Sequence, residues 1–272
     1  MFFENYKFRA SGVGNLMVGA KANLTDKQKE LLEMLQNKQK AGVITDKQLI
    51  TLGIFIDKKL SKPKLSKTAK SYLQKIYLEE RYGKKIEIAT KQMDKGTFVE
   101  DLAITLYSKI SNELFFKNKK KYENNFVKGT PDNVSKKIID IKSSWNAHTF
   151  PMFENVLKTE LYKWQVMSYM WLTGIHLGEV AYCLVNTPEH LILDELRRFA
   201  WKNNLMDLSN EQEDEIRSNF TFNNIPEHLR VKKIEVIYNE QEIELMIAQI
   251  QLGREYLIEL ESTNTDIHTI KN

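Results

Sequence analysis

The sequence is poor in the residues that cross-link a chain or break its helices. Of its 272 residues, one is cysteine (Cys183), 5 are proline and 11 are glycine. A lone cysteine excludes an internal disulfide framework and a four-cysteine zinc or iron–sulfur site. The low proline and glycine content argues against a collagen-like, linker-rich or all-β chain, so we expect many helices.

Long hydrophobic runs are also lacking. The opening segment, MFFENYKFRAS, has no apolar core of the kind that signal peptides carry. The longest apolar-looking stretch, residues 166–185, contains a histidine, a glutamate and two glycines. It therefore predicts a buried helix followed by a strand, and we expect no membrane span.

Positive charge is abundant in the first two thirds of the chain. Residues 1–187 hold 31 basic and 19 acidic residues, a net charge of +12, whereas residues 188–272 hold 9 and 17, a net charge of −8. The two parts together give the net charge of +4. A basic body favours a polyanionic partner, although solvated lysines on surface helices would explain the same charge equally well.

The hydrophobic periodicity predicts helices first, then a compact β region, a helix, and finally a β-α-β-α order. The later helices are expected over 97–111, 160–172, 188–203 and 241–261, and the strands over 126–132, 137–143, 179–185 and 231–238. This order predicts an α/β fold decorated with helices. We expect a single domain, 1–272, with a helical insertion over about 20–85 and a C-terminal β-α extension over about 188–272.

The predicted strand 137–143 carries charged residues within an isoleucine-rich segment. Asp140 and Lys142 are two residues apart, so their side chains share one face of the strand. A buried charge pair is costly unless it has partners or a use. The pair is therefore a candidate catalytic element, although an ordinary ion pair would give the same pattern.

A second carboxylate lies shortly upstream, in the segment Gly129-Thr-Pro-Asp132. Strands over 126–132 and 137–143, joined by a polar turn at 133–136, would bring Asp132 close to Asp140. Neighbouring carboxylates repel and favour a divalent cation between them, and hard oxygen ligands suit Mg²⁺ or Mn²⁺. Asp132 would equally serve as a turn cap, since Pro-Asp is a common turn pair.

Two predicted helices add further candidates. Glu100 follows Gly96 in the helix over 97–111, where the glycine would permit a close backbone approach, and Glu100 would be a third carboxylate. Gln165 and Tyr169 are four residues apart, so they share one face of the helix over 160–172. Taken singly, a solvated glutamate and a core tyrosine explain these residues as well.

In chain order these segments read GxxxE, GxPD, DxK and QxxxY. The set resembles the PD-(D/E)XK nuclease superfamily, in the branch of lambda-exonuclease-like viral recombinases and RecB-type nucleases. DIKSSW and WQVMSYMWLTG are its most specific stretches, and the resemblance spans about residues 9–188. Glu100, where RecB-type relatives carry a histidine, favours the viral exonuclease branch. The resemblance implies a restriction-endonuclease-like core, in which helices flank a small central mixed sheet.

The resemblance also implies a metal centre. By similarity, Glu100, Asp132 and Asp140 would bind one or two Mg²⁺ or Mn²⁺ ions, with the main-chain carbonyl of Ile141 as a further ligand. Such an ion lowers the pKa of bound water and stabilises the leaving oxygen of a phosphodiester.

The remaining motif residues would act beside that metal. Lys142 would orient the attacking water, help to deprotonate it, and offset charge on the scissile phosphate. Gln165 and Tyr169 would position Lys142 or the phosphate.

Further residues are candidates for DNA contacts. Arg9 and Ser11 occupy the place where members of the recombinase branch hold a DNA 5′-phosphate, although Arg9 would equally be a surface charge. Trp145 would stack on a frayed base or pack on the core. The basic runs at 57–85 and 117–121 would line the DNA track.

The resemblance implies a Mg²⁺-dependent deoxyribonuclease, an exonuclease that digests double-stranded DNA ends from 5′ to 3′ in phage-type recombination. It also implies a ring-shaped trimer, a single-strand annealing protein as partner, and a cytoplasmic location in a bacterium or phage-infected host. An endonuclease of the same superfamily and a non-catalytic DNA-binding protein on a nuclease fold are the alternatives.

Overall fold

The computed structural model describes residues 2–20, 24, 26–60, 63–85 and 90–269. Its α-helices are α1 (Ala10–Met17), α2 (Asp26–Lys40), α3 (Asp46–Leu60), α4 (Lys67–Tyr82), α5 (Lys91–Phe98), α6 (Glu100–Ser111), α7 (Glu160–Thr173), α8 (Glu189–Lys202), α9 (Asn210–Ser218) and α10 (Glu240–Thr269). Its strands are β1 (Phe8–Arg9), β2 (Tyr122–Glu123), β3 (Val127–Gly129), β4 (Asn133–Val134), β5 (Ile138–Ser143), β6 (Leu177–Cys183) and β7 (Val231–Ile237).

The chain divides into two compact units, and the first is helical. It comprises residues 1–6, 15–81 and 239–272 and contains α2, α3, α4 and α10. Its interior includes a cluster of the buried leucines Leu24, Leu32, Leu35 and Leu52. Most of the helical region predicted over about 20–85 lies in this unit, although residues 21–23, 25 and 61–62 of that region lie outside the described residues.

The second unit, residues 7–14 and 82–238, contains a four-stranded mixed sheet in the order β4-β5-β6-β7. β5 runs antiparallel to β4 and parallel to β6, and β6 runs antiparallel to β7. The parallel pair requires a crossover, which α7 supplies. This small mixed sheet with flanking helices is the α/β core that the resemblance implies.

Helices cover both faces of β5, and successive side chains of the strand point to opposite faces. On one face lies a buried cluster formed by Val99, Ala103, Tyr107, Ile139, Ile141, Ala181 and Cys183. Burial of each large aliphatic side chain stabilises the fold by about 1.5–3 kcal/mol. Asp140 and Lys142 therefore point to the opposite face, where α7 packs.

A three-stranded sheet in the order β1-β3-β2 lies in the same unit. β3 is parallel to β1, with Phe8 opposite Val127, and antiparallel to β2, with Tyr122 opposite Gly129. This sheet connects the N-terminal segment, including Arg9, to the segment that leads into Asp132.

The local structure differs from the prediction at two places near the motifs. The segment 126–132 does not pair with β5, because β3 belongs to the other sheet and the predicted turn at 133–136 instead begins with β4. The predicted helix over 97–111 is broken at Val99, whose ψ of 10° leaves the helical range. Glu100 is therefore the first residue of α6.

The region predicted as a C-terminal extension, about 188–272, is shared between the two units. β7 completes the four-stranded sheet, whereas α10 lies in the helical unit. Among the helices of the described residues, none has both the length and the apolar character that crossing a bilayer requires.

Candidate active site

The carboxylate and the ammonium on β5 form a close ion pair. Asp140 Oδ2 lies 2.8 Å from Lys142 Nζ, and the Asp140 side chain is completely buried. The partner strand β6 places Val180 and Tyr182 opposite these two residues. The pair lies on one face of a core strand, as the sequence pattern predicts.

α7 supplies the polar partners of this pair. Gln165 Nε2 donates to Asp140 Oδ1 at 3.0 Å, and Lys142 Nζ donates to Gln165 Oε1 at 3.3 Å. Gln165 Nε2 also lies 3.2 Å from the hydroxyl of Tyr169, one helical turn later. Burial, followed by the charge of Asp140, raises the pKa of Tyr169 to about 12, so the phenol stays neutral.

Asp132 joins the pair through the backbone of β5. Its Oδ2 accepts a hydrogen bond of 2.8 Å from the backbone N–H of Ile141. Asn118 donates its N–H to the carbonyl of Asp132 at 2.7 Å and its side-chain amide to the carbonyl of Pro131 at 3.0 Å. These contacts hold the carboxylate at the edge of β5 that β6 does not occupy.

The surroundings raise the pKa of both carboxylates, Asp132 and Asp140, and so disfavour their charged forms. Burial, and then the charge of Asp140, raises the pKa of Asp132 to about 7. Burial also raises the pKa of Asp140, although the ammonium of Lys142 opposes that shift. Burial alone would lower the pKa of Lys142, but the charge of Asp140 and its hydrogen bond prevail and raise it. Lys142 therefore remains an ammonium.

Glu100 lies near this cluster but does not complete it. Its Oε2 lies 2.6 Å from Lys117 Nζ, and this hydrogen bond raises the pKa of Lys117. The charge of Glu100 contributes to the raised pKa of Asp132, which shows that the two are within electrostatic reach. Within the described ranges, no three His, Cys, Asp or Glu side chains converge in a metal-binding arrangement.

Arg9 and Ser11 line a cavity of about 640 Å³ in the same unit. Its other lining residues include Lys121, Lys128 and Tyr169. Tyr169 accepts from Gln165, which in turn contacts Asp140 and Lys142, so one lining residue of the cavity is connected to the ion pair.

The two glycines of the motifs differ in their surroundings. A Cβ added at Gly129 would lie 2.7 Å from Tyr169 Cε1 and 3.0 Å from the Cβ of Ala10, so only glycine fits there. A Cβ added at Gly96 would have no atom within 4 Å among the described residues. The prediction that another part of the chain approaches the backbone of Gly96 closely is therefore wrong.

Trp145 packs against the protein interior. Its ring centroid lies 5.4 Å from that of Phe220, edge to face, and it borders a buried cluster with Ile192 and Leu196. This geometry favours core packing over base stacking. The basic run at 57–85 falls partly outside the described residues, and its remainder lies mostly in α4.

The sequence patterns did not predict the roles of two residues near the motifs. Asn118 shapes the segment of Asp132, and Lys95 contacts the backbone after β5. Asn118 lies in a polar run that reads as surface. Lys95 directly precedes Gly96, and a lysine beside a helical glycine gives no signal of burial.

Comparisons with known proteins bear on the fold. No protein-family model matches the chain, and no curated protein matches it significantly. Among solved structures, a phage-related exonuclease from Haemophilus somnus 129PT is similar, with a TM-score of 0.65 and 20% identity over 95% of this chain and 96% of that one.

The alkaline exonuclease LHK-Exo from Laribacter hongkongensis is also similar, with a TM-score of 0.55 and 12% identity over 98% of this chain and 96% of that one. Its complex with dAMP has a TM-score of 0.55 and 13% identity over 97% and 94% of the two chains. At these identities the likeness establishes the fold. The chain therefore shares the fold of these exonuclease structures, an α/β core with a small mixed sheet flanked by helices.

Proposed function

We propose that this protein is a metal-dependent deoxyribonuclease that hydrolyses phosphodiester bonds from the ends of double-stranded DNA. The observation that carries the proposal is the convergence of Asp132, Asp140, Lys142 and Gln165 around β5 of the core sheet. The exonuclease names of the similar structures, one of them bound to dAMP, support the same substrate class.

The residues present fit a divalent cation. Asp140 Oδ2 is buried and, apart from the ion pair with Lys142, has no hydrogen-bond partner among the described residues. Burial raises the pKa of both Asp132 and Asp140, and the charge of Asp140 raises that of Asp132 further, so a cation between the two would relieve the cost of their charges. The N–H of Ile141 faces Asp132, and its carbonyl lies on the same side of the strand.

These features support Mg²⁺ or Mn²⁺ as the bound ion, with Asp132, Asp140 and the Ile141 carbonyl as hard oxygen ligands. Glu100 would be a third carboxylate only after releasing Lys117. When bound, such an ion lowers the pKa of its bound water and neutralises charge on the phosphodiester.

The other side chains act on the phosphate and on one another. The ammonium of Lys142 can donate to an oxygen of the scissile phosphate and offset its charge. Gln165 bonds to both Asp140 and Lys142, so it fixes their separation. Tyr169 holds the amide of Gln165 in that orientation.

The cavity at Arg9 supports recognition of DNA ends. Arg9 and Ser11 can donate hydrogen bonds to a 5′-phosphate, and Lys121 and Lys128 add positive charge to the same cavity. A terminal phosphate held there would lie beside Tyr169, whose hydroxyl is joined to Asp140 and Lys142 through the amide of Gln165. This placement supports digestion from 5′ to 3′.

The direct test is digestion of linear double-stranded DNA with a labelled 5′ end, beside closed circular DNA, with Mg²⁺ and with EDTA. We expect Mg²⁺-dependent loss of the linear DNA alone, with early release of the label. Cutting of the circle would indicate an endonuclease, and DNA binding without cleavage would indicate a non-catalytic protein.

Two pairs of variants compare a residue of the proposed site with a surface residue of the same type. Lys142→Met should abolish cleavage while Lys202→Met, an exposed lysine of α8, should not. Arg9→Ala should slow digestion of 5′-phosphorylated ends relative to 5′-hydroxyl ends, whereas Arg197→Ala should change neither. Equal losses in both members of a pair would contradict the assignment.

The trimer, the annealing partner and the role in phage-type recombination rest on the resemblance alone. Light scattering coupled to size-exclusion chromatography tests the first. Co-purification with a single-strand annealing protein tests the second.

A further inference from the structure

A lysine that none of the motifs includes is buried close to the site. Lys95 lies on α5, and none of its side chain is exposed to solvent. Its Nζ donates to the main-chain carbonyls of Ser144, at 2.7 Å, and Trp145, at 3.0 Å. A side chain from one helix thus binds the backbone that directly follows the strand of Asp140 and Lys142.

Among the described residues, no carboxylate balances the charge of Lys95. In the part of the chain that the structure describes, no carboxylate lies within ion-pair distance of it. Its Nζ lies 5.1 Å from the ring centroid of Phe222 and 6.0 Å from that of Trp145, and burial lowers its pKa to about 7. An apolar side chain of similar length would avoid this penalty, so what the lysine adds is the two hydrogen bonds to the backbone and the contacts of its ammonium with the two rings.

The two segments that Lys95 joins are the ones that carry the proposed site. α5 ends at Phe98, and α6 begins with Glu100 after the break at Val99. Ser144 follows Lys142 by two residues, and its N–H donates to the carbonyl of Cys183 on β6 at 2.9 Å. Lys95 therefore connects the helix that leads into Glu100 to the end of the strand that carries the ion pair.

We propose that Lys95 is a positioning residue, which holds Glu100 at a set distance from Asp140 and Lys142 by tying α5 to the backbone after β5. The proposal rests on the proposed function, because it assigns Glu100 a part in the same metal centre. Catalytic groups tolerate little displacement, and a shift of about 1 Å can reduce a rate by about 100-fold.

The test compares Lys95→Met with Lys91→Met. Lys91 is one turn away on the same helix and binds Glu195 of α8 rather than the strand. Lys95→Met keeps the length of the side chain and removes both hydrogen bonds. We expect its cleavage rate at saturating DNA to fall by about 10- to 100-fold and its Mg²⁺ concentration for half-maximal rate to rise, with Lys91→Met unchanged in both.

A purely structural role would give a different result. Lys95→Met would then lower the melting temperature, while the rate per folded molecule and the Mg²⁺ dependence would equal those of the wild type. That outcome would overturn the proposal. A Lys95→Met protein that melts at the wild-type temperature or above and still cleaves slowly would support it.

A measurement independent of cleavage separates this proposal from the proposed function. Amide hydrogen exchange of the full chain should become faster in Lys95→Met in both the 99–102 and the 143–146 segments, and in neither for Lys91→Met. Unchanged exchange in either segment would refute the positioning role, even in an active enzyme. If the wild-type protein neither cleaved DNA nor bound Mn²⁺, while Lys95→Met still showed faster exchange in both segments, only the proposed function would be refuted.

Discussion

Replacement of Asp132 by asparagine should make the protein more stable at alkaline pH while it abolishes cleavage. The folded-state pKa of Asp132 is about 7, raised from 3.8 by burial and by Asp140. A group with a raised pKa binds its proton more tightly in the folded state, so its contribution to stability is complete below about pH 4. That contribution disappears as the pH rises through 7.

The magnitude follows from the size of the shift. Each pH unit between the two pKa values changes the free energy of unfolding by about 1.4 kcal/mol. Between pH 5 and pH 8 the wild-type protein should therefore lose about 2–3 kcal/mol through Asp132. Asp132→Asn retains an oxygen that can accept from Ile141 N–H and does not titrate, so it should lack this loss.

Urea unfolding at pH 5 and pH 8 in EDTA measures this difference. The control is Asp207→Asn, which removes an exposed carboxylate and should follow the wild-type pH dependence. If Asp132→Asn and the wild-type protein lost the same free energy between the two pH values, the electrostatic account of the site would be wrong.

Four other substitutions test separate parts of the structure. Lys142→Met leaves the buried carboxylate beside it without a cation, and should reduce cleavage at least about 100-fold and lower the free energy of unfolding by about 3 kcal/mol, measured by rates and by urea unfolding. Gly129→Ala forces a Cβ to within 2.7 Å of Tyr169, so it should destabilise the protein by about 1–3 kcal/mol and slow cleavage. Gly96→Ala, in open space within a helix, should stabilise by about 0.5–1 kcal/mol, and equal effects of the two alanines would contradict the packing argument. Tyr107→Phe removes a 2.7 Å hydrogen bond to the buried carboxylate of Glu179, on the face of the sheet opposite Asp140 and Lys142, and should lower the free energy of unfolding by about 1–2 kcal/mol with cleavage unchanged.

The sequence predicted features that depend on local geometry. Alternation along β5 assigns Asp140 and Lys142 to one face because successive strand side chains point to opposite sides. The spacing of Gln165 and Tyr169 does the same on α7, because residues four apart share a helix face. The mixed sheet was likewise predicted, from the resemblance that these motifs carry.

Local patterns were misleading where tertiary contacts compete with them. The helix predicted over 97–111 breaks at Val99, and Phe98 and Leu102, which are four residues apart as on one face of a helix, are both exposed. Asp132 reaches β5 by accepting from Ile141, without the predicted pairing of 126–132 with that strand.

Local sequence patterns thus predict which residues share a face, because those relations depend only on the periods of helix and strand. Relations between distant segments come from the folded structure. The folded structure pairs Glu100 with Lys117 and brings the ring of Tyr169 so close to Gly129 that no Cβ fits there. It also buries Lys95 against the main-chain carbonyls that follow β5. Each of these depends on a contact between segments whose separation in space no local period encodes.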